Sequence, residues 1–303
     1  MEILKRPVVI CKREVGEKEA EKLSKKDPDQ LQFMDTYNKY FNETLKLYFD
    51  TLYEGSKDIQ VKSVAEVNVL VESHSNKVAV LQAENLRRSF WAGRNEKEQE
   101  TFSFRLFLPD GKEDDQGLLI SFTNDILTDA DFVFLIQQIN IHLQKISAGE
   151  QLPSYDYTNK NQAQRLKDLK LIVNLDKVNE KLTKEEIQSN YSYPMEFVGR
   201  LETYEDIVTG RKAGYAYITE IWSTSVWGLG YVAVDASNGE ILCILGSGSV
   251  HFSIGIKESS GTKRPKAFAR GHDIVSFKPK YSLKAAHFKY FNKFASEAGK
   301  KSK

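Results

Sequence analysis

TFSFRLFLPDGKEDDQGLLISFTNDILTDADFVFLIQQINIHL, residues 101–143, changes its hydrophobic period once. Phe102, Phe104, Leu106 and Leu108 recur at every second position, the period of a strand with one face on a core. Pro109-Asp110-Gly111-Lys112 has the composition of a turn, and the run Leu118 to Phe122 beyond it makes the second arm of a hairpin. Thr128 and Asp131 then have the spacing of a capping box. Phe132, Leu135, Ile136, Ile139 and Leu143 follow at steps of three and four, which predicts an amphipathic helix ending near Gly149. Strand, strand, helix in a row is a grouped order, and a grouped order points to an α+β fold with antiparallel pairing.

The same grouping extends outward. Asp27-Pro28-Asp29-Gln30 reads as a helix start with Asp27 as N-cap, and Met34, Tyr37, Phe41, Leu45, Tyr48 and Leu52 carry the helical period toward Gly55. Val61, Val64, Val67, Val69 and Val71, then Val78 and Val80, are read as strands. Gln151 to Asn161 is polar and contains Pro153, and a charged stretch from about Gln164 to Asn190, with a capping box at Thr183 and Glu186, is read as helical. From Pro194 the chain is strand-like again: 195–203, 214–226, 230–235, 240–245 and 250–256, with Asp206 to Gly210 and Ser237-Asn238-Gly239 as turns. A last helix spans Ser282 to Ala298, with Phe288, Phe291, Phe294 and Ala295 on one side. The expectation is an α+β protein of two modules, each a mainly antiparallel sheet with packed helices: residues 1–150, a polar linker and charged helical segment at 151–190, and a meander with a basic C-terminal helix at 191–303. No internal repeat is strong enough to assign, although the two halves share a helix-plus-meander character.

Composition excludes several classes. At 303 residues, 41% hydrophobic and 28% charged, with 17 Phe, 14 Tyr and 3 Trp, the chain has the apolar surface of a globular protein. Cys11 and Cys243 are too few for a disulfide framework or the usual zinc spacing, which makes a reducing, cytoplasmic setting the expectation. The apolar run Pro7 to Cys11 is too short for a signal peptide, and no stretch of about 18 apolar residues provides a membrane span.

Chemistry-bearing motifs are sparse. His74, His142, His251, His272 and His287 are dispersed, without the i+3 or i+4 partner of a familiar metal motif, so neither metal nor cofactor is expected. Only His272, beside Asp273, has an adjacent carboxylate to orient it. Gly246-Ser247-Gly248-Ser249 lacks the glycine and helix of a phosphate loop and reads as a turn. Asp110 and Lys112, with Glu96, Glu98 and Glu100 upstream, have a nuclease-like composition that a Pro-Asp-Gly-Lys turn already explains. Trp91, Trp222 and Trp227 are read as packing residues.

Residues 101–157, a strand, GLLISFTNDILTDADFVFLIQQI, a helix and a Pro-bearing loop, resemble the region around the HxxxD motif of the plant and fungal acyltransferase superfamily. In that family the histidine is the general base and the aspartate is largely structural. The aligned residues here are Asp125-Ile126-Leu127-Thr128-Asp129, so Asp125 stands where the base would be, and a carboxylate of ordinary pKa is a poor base for an alcohol. The resemblance covers under a fifth of the chain, and at most it implies a degenerate acyltransferase-like enzyme.

Charge is the most informative feature. Residues 257–303 carry 13 Lys and Arg against three acidic residues, a net of +10, while residues 1–256 carry a net of −9. Phe268, Phe277, Tyr281, Phe288, Tyr290, Phe291 and Phe294 are interleaved with those cations. Basic residues between aromatic ones suit phosphate contact with base stacking. The candidate polyanion-binding residues are Lys263, Arg264, Lys266, Arg270, Lys278, Lys280, Lys284, Lys289 and Lys293. The expected function is non-enzymatic binding of a polyanion such as nucleic acid. Self-association of the acidic body with the basic tail of another copy is one alternative. A transferase or nuclease whose polar residues meet only in three dimensions is another, which a cleft gathering Asp125, His142 or His272 with a perturbed carboxylate would favour.

Overall fold

The computed structural model describes residues 2–92, 95–109, 118–123, 126–149, 160–198, 201–223, 228–246 and 282–297. In chain order the first half contains α1 (Glu2–Lys5), β1 (Val8–Cys11), α2 (Glu17–Lys26), α3 (Pro28–Leu52), β2 (Ile59–Lys62), α4 (Val64–Glu72), β3 (Ala79–Ala92), β4 (Asn95–Phe107), β5 (Leu118–Phe122) and α5 (Asp129–Ser147). The second contains α6 (Lys160–Ala163), β6 (Lys170–Asn174), α7 (Lys184–Asn190), β7 (Met195–Val198), α8 (Leu201–Thr209), β8 (Tyr215–Ser223), β9 (Gly228–Asp235), β10 (Ile241–Gly246) and α9 (Ala285–Glu297). Short 3₁₀ turns at Gln164–Lys167 and Leu175–Lys177 flank β6.

The fold is α+β, and each half is a five-stranded mixed sheet with packed helices. In the first half β1 lies parallel between β2 and β3, and β3, β4 and β5 form an antiparallel meander. In the second half β6 lies parallel between β7 and β8, and β8, β9 and β10 form the meander. The strand order and directions of the two halves are therefore the same, a repeat that their residues do not display. The sheets join where Ser121 of β5 pairs with Trp222 of β8.

Strand alternation assigns the layers. Val8 and Ile10 of β1, Ile172 of β6, Tyr217 and Ile221 of β8, and Val232 and Val234 of β9 face one core, together with residues of α3, α5 and α8. Leu171, Val173, Ala216, Ile218, Tyr231 and Ala233 face the opposite layer, beneath α7 and α9. On that opposite face in the first half lies a smaller cluster, Val9, Cys11, Val67 and Val80, under α4. The halves are thus turned over relative to each other: α5 and its counterpart α9 lie on opposite faces, as do α4 and its counterpart α8.

Local chemistry explains the elements. Asp27 accepts from the Gln30 N–H at 3.1 Å and Pro28 opens α3, which buries Phe41, Leu45 and Phe49. Asn42 exchanges hydrogen bonds with the backbone of Arg13, whose guanidinium lies 4.9 Å from the Phe102 ring centre, so the segment after β1 is pinned to α3. The Thr128 and Thr183 capping boxes form as read. The Ser237-Asn238-Gly239 turn links β9 to β10. Gly239 there has φ +78°, and a Cβ would come within 2.4 Å of the Gln137 side chain, so both backbone and space require glycine.

Four assignments need correction. The valine run after Val61 is helix α4, because Ser63 and Glu66 form a capping box and Val67, Leu70 and Val71 share one helical face. The charged stretch 164–190 is not continuously helical: Leu171-Ile172-Val173 form the buried strand β6 at its centre. The strand expected at 195–203 stops at Val198, and Leu201–Thr209 is helix, burying Tyr204, Ile207 and Val208. Asp206 to Gly210 is consequently the end of that helix and not a hairpin turn. The expected strand at 250–256 and the turn at 110–112 lie outside the described residues.

Candidate functional site

The β5–β8 junction creates a fork in the sheet. β8 pairs with β6 over Tyr215–Tyr217 and with β5 at Trp222, so the stretch between them lies across the carboxyl ends of both neighbours. Open sheets place ligand sites at such positions. Four carboxylates gather there: Asp129 and Asp131 from the first turn of α5, Glu205 from α8 and Glu220 from β8.

Each has defined partners. Tyr40 and Tyr48 of α3 both donate their phenol O–H to Asp129, Tyr48 at 2.9 Å. Asp131 accepts from the Thr128 N–H and hydroxyl, both at 3.0 Å. Glu205 lies against the Thr128 side chain and the Asp129 N–H, so a side chain of the second half meets the first turn of a helix of the first. Burial, reinforced by the Asp129 charge, pushes the Glu205 carboxyl up to about 7 against the opposing pull of those neighbours. Glu220 accepts from the Thr123 hydroxyl at 3.3 Å and is also pushed up to about 7, chiefly by burial and against the pull of Lys177. Lys177 lies 5.3 Å from the centre of the Tyr204 ring, whose O–H donates to the Ile218 carbonyl at 3.0 Å. Two buried polar groups nearby lack hydrogen-bond partners: the Asn174 side-chain NH₂ at the end of β6 and the Tyr217 hydroxyl. The arrangement holds protons near neutrality at a half-buried surface. Among the described residues no His, Cys, Asp and Glu grouping has the geometry to hold a metal ion.

Sequence reading reached Thr128 and Asp131, as a capping box, Asp129, as the aspartate aligned with the HxxxD motif, and Tyr48, on the helical period of α3. It missed Glu205, Glu220, Lys177 and Tyr40, which come from elements far apart in the chain and carry no local motif. Asp125, His272, Asp110 and Lys112 lie outside the described residues. His142 is not part of the fork: it is buried in α5, its Nδ1 2.7 Å from the Gln138 carbonyl oxygen, and burial lowers its pKa.

Of the nine candidate polyanion-binding residues, Lys263, Arg264, Lys266, Arg270, Lys278 and Lys280 lie outside the described residues. Lys284, Lys289 and Lys293 belong to α9 and its N-cap region. α9 buries Phe288, Phe291 and Ala295, with Phe294 partly buried against the same layer, and leaves Lys289 and Lys293 exposed. Its start is set by His287, whose Nδ1 accepts from the Lys284 N–H at 3.0 Å and whose pKa burial lowers to about 4. That ring is a neutral capping group. Cys11 and Cys243 are free and buried; burial raises both thiols, Cys243 to about 12, which keeps them protonated and unreactive.

No helix of the described residues is long and apolar enough to cross a membrane. No family model matches the chain, and neither a curated protein nor a solved structure matches it. The resemblance of residues 101–157 to the acyltransferase superfamily therefore rests on those residues alone.

Proposed function

We propose that this is a cytoplasmic, non-enzymatic binding protein that contacts a polyanion, with nucleic acid as the leading candidate, through its basic-aromatic C-terminal region. The observation that carries this reading is the charge split, +10 over residues 257–303 against −9 over the rest. α9 supports it: one face is spent on the core while Lys289 and Lys293 point outward. Neutralising phosphates releases condensed counterions, so such binding weakens steeply with salt. The test is a salt titration of binding to labelled single- and double-stranded nucleic acid. Tight, salt-sensitive binding that disappears when the cations of residues 257–303 are neutralised is the expected result; salt-independent binding, or none, overturns it.

An enzymatic reading has one observation in its favour, the two carboxyls of Glu205 and Glu220 raised to about 7 at the strand fork, a range suited to proton transfer at neutral pH. It predicts turnover in a nuclease or acyl-transfer screen that Glu220→Gln removes while the fold is retained.

A further inference from the structure

The repeat within the chain has a consequence for association. At the internal junction two things happen together: β5 pairs with β8, and α5, which follows β5, packs against α8. The counterparts of β5 and α5 are β10 and α9; those of β8 and α8 are β3 and α4. Among the described residues the counterpart junction is not made. Among those residues β10 pairs only with β9, and β3 beyond Leu81 pairs only with β4, so within the described structure each has an edge that no strand takes up. Unpaired edges are templates for strand addition.

The helices are unequal in the same sense. α8 buries Tyr204, Ile207 and Val208 at 4% exposure or less. α4 repeats that spacing with Val67, Leu70 and Val71, yet only Val67 is fully buried, and Val64 and Val69 are 37% and 63% exposed. α5 covers α8, and among the described residues no helix takes that place over α4. The exposed charges of the two helices are opposite in sign: Glu66 and Glu72 on α4, Lys289 and Lys293 on α9.

We propose that the protein associates head to tail with a second copy of itself, β10 and α9 of one chain docking on β3 and α4 of the next as β5 and α5 dock on β8 and α8 within the chain. The contact is heterologous, so it builds chains or rings and not a closed two-fold pair. It is independent of polyanion binding and is tested without nucleic acid. Sedimentation velocity over a concentration series is expected to show wild-type species heavier than the 34.6 kDa monomer that dissociate on dilution. The double substitutions V64E/V69E, on exposed positions of α4, and K289E/K293E, on α9, should each sediment as monomer with unchanged circular dichroism. Mixed together they should form a dimer and nothing larger, because each retains the end that the other has lost. A wild type that stays monomeric throughout, a K289E/K293E protein that assembles like wild type, or a mixture that fails to dimerise overturns the proposal.

Discussion

Glu205 lies beside Thr128 and the Asp129 N–H in a half-buried site, and its carboxyl is raised from 4.5 to about 7. Because the folded chain keeps this proton where the unfolded chain has released it, stability falls as pH rises from 4.5 to about 7. Glu220 contributes in the same direction. His287 works oppositely: its folded pKa of about 4 is below the ordinary 6.5, so stability is lost as pH falls through that window. Glu205→Gln keeps the acceptor oxygen and removes the charge. Thermal melts across this range should show the variant melting above wild type beyond pH 7 and beside it at acidic pH; a constant offset at every pH would mean that Glu205 does not titrate as described. The roles of Glu205 and Glu220 were not readable in advance, since a carboxylate's proton affinity depends on neighbours that the chain order does not place beside it.

At the scale of elements, two helices are decided by different forces. α4 depends on local chemistry: the Ser63 hydroxyl accepts from the Glu66 N–H at 3.3 Å and Glu66 accepts in return from the Ser63 N–H at 2.9 Å. Its valines favour a strand, and the capping box together with the Val67, Leu70, Val71 face prevails. Ser63→Ala should cost about 1 kcal/mol in a urea titration. α9 depends on packing. Phe291 is fully buried beneath it, and Phe291→Ala should cost about 3–5 kcal/mol. A loss near zero would show that α9 does not rest on this core.

At the scale of the molecule, one core runs through both halves, from Val8 and Phe41 to Val232 and Ile244, with α5 and α8 packed together within it. Residues 160–167 add a polar clamp: Arg165 pairs with the buried Asp235 and with Glu240, on either side of the β9–β10 turn. A shared core makes the halves unfold together, so calorimetry should give one transition whose measured enthalpy equals the van't Hoff enthalpy. Two separated transitions would instead establish independent modules.

The α+β class, the capped helices α3, α5 and α7, the β4–β5 hairpin, the strands β8 to β10 and the apolar side of α9 were all present in the sequence by itself, because each rests on periods and caps only a few residues long. The tertiary structure alone decided the parallel pairing around β1 and β6, the reversed repeat and the carboxylate fork. Pairing between segments distant in the chain is chosen by the burial that it completes. Leu171-Ile172-Val173 becomes a strand because β7 and β8 pair with its two edges while the core layers on either side cover its two faces, and nothing within the residues around it announces that cover.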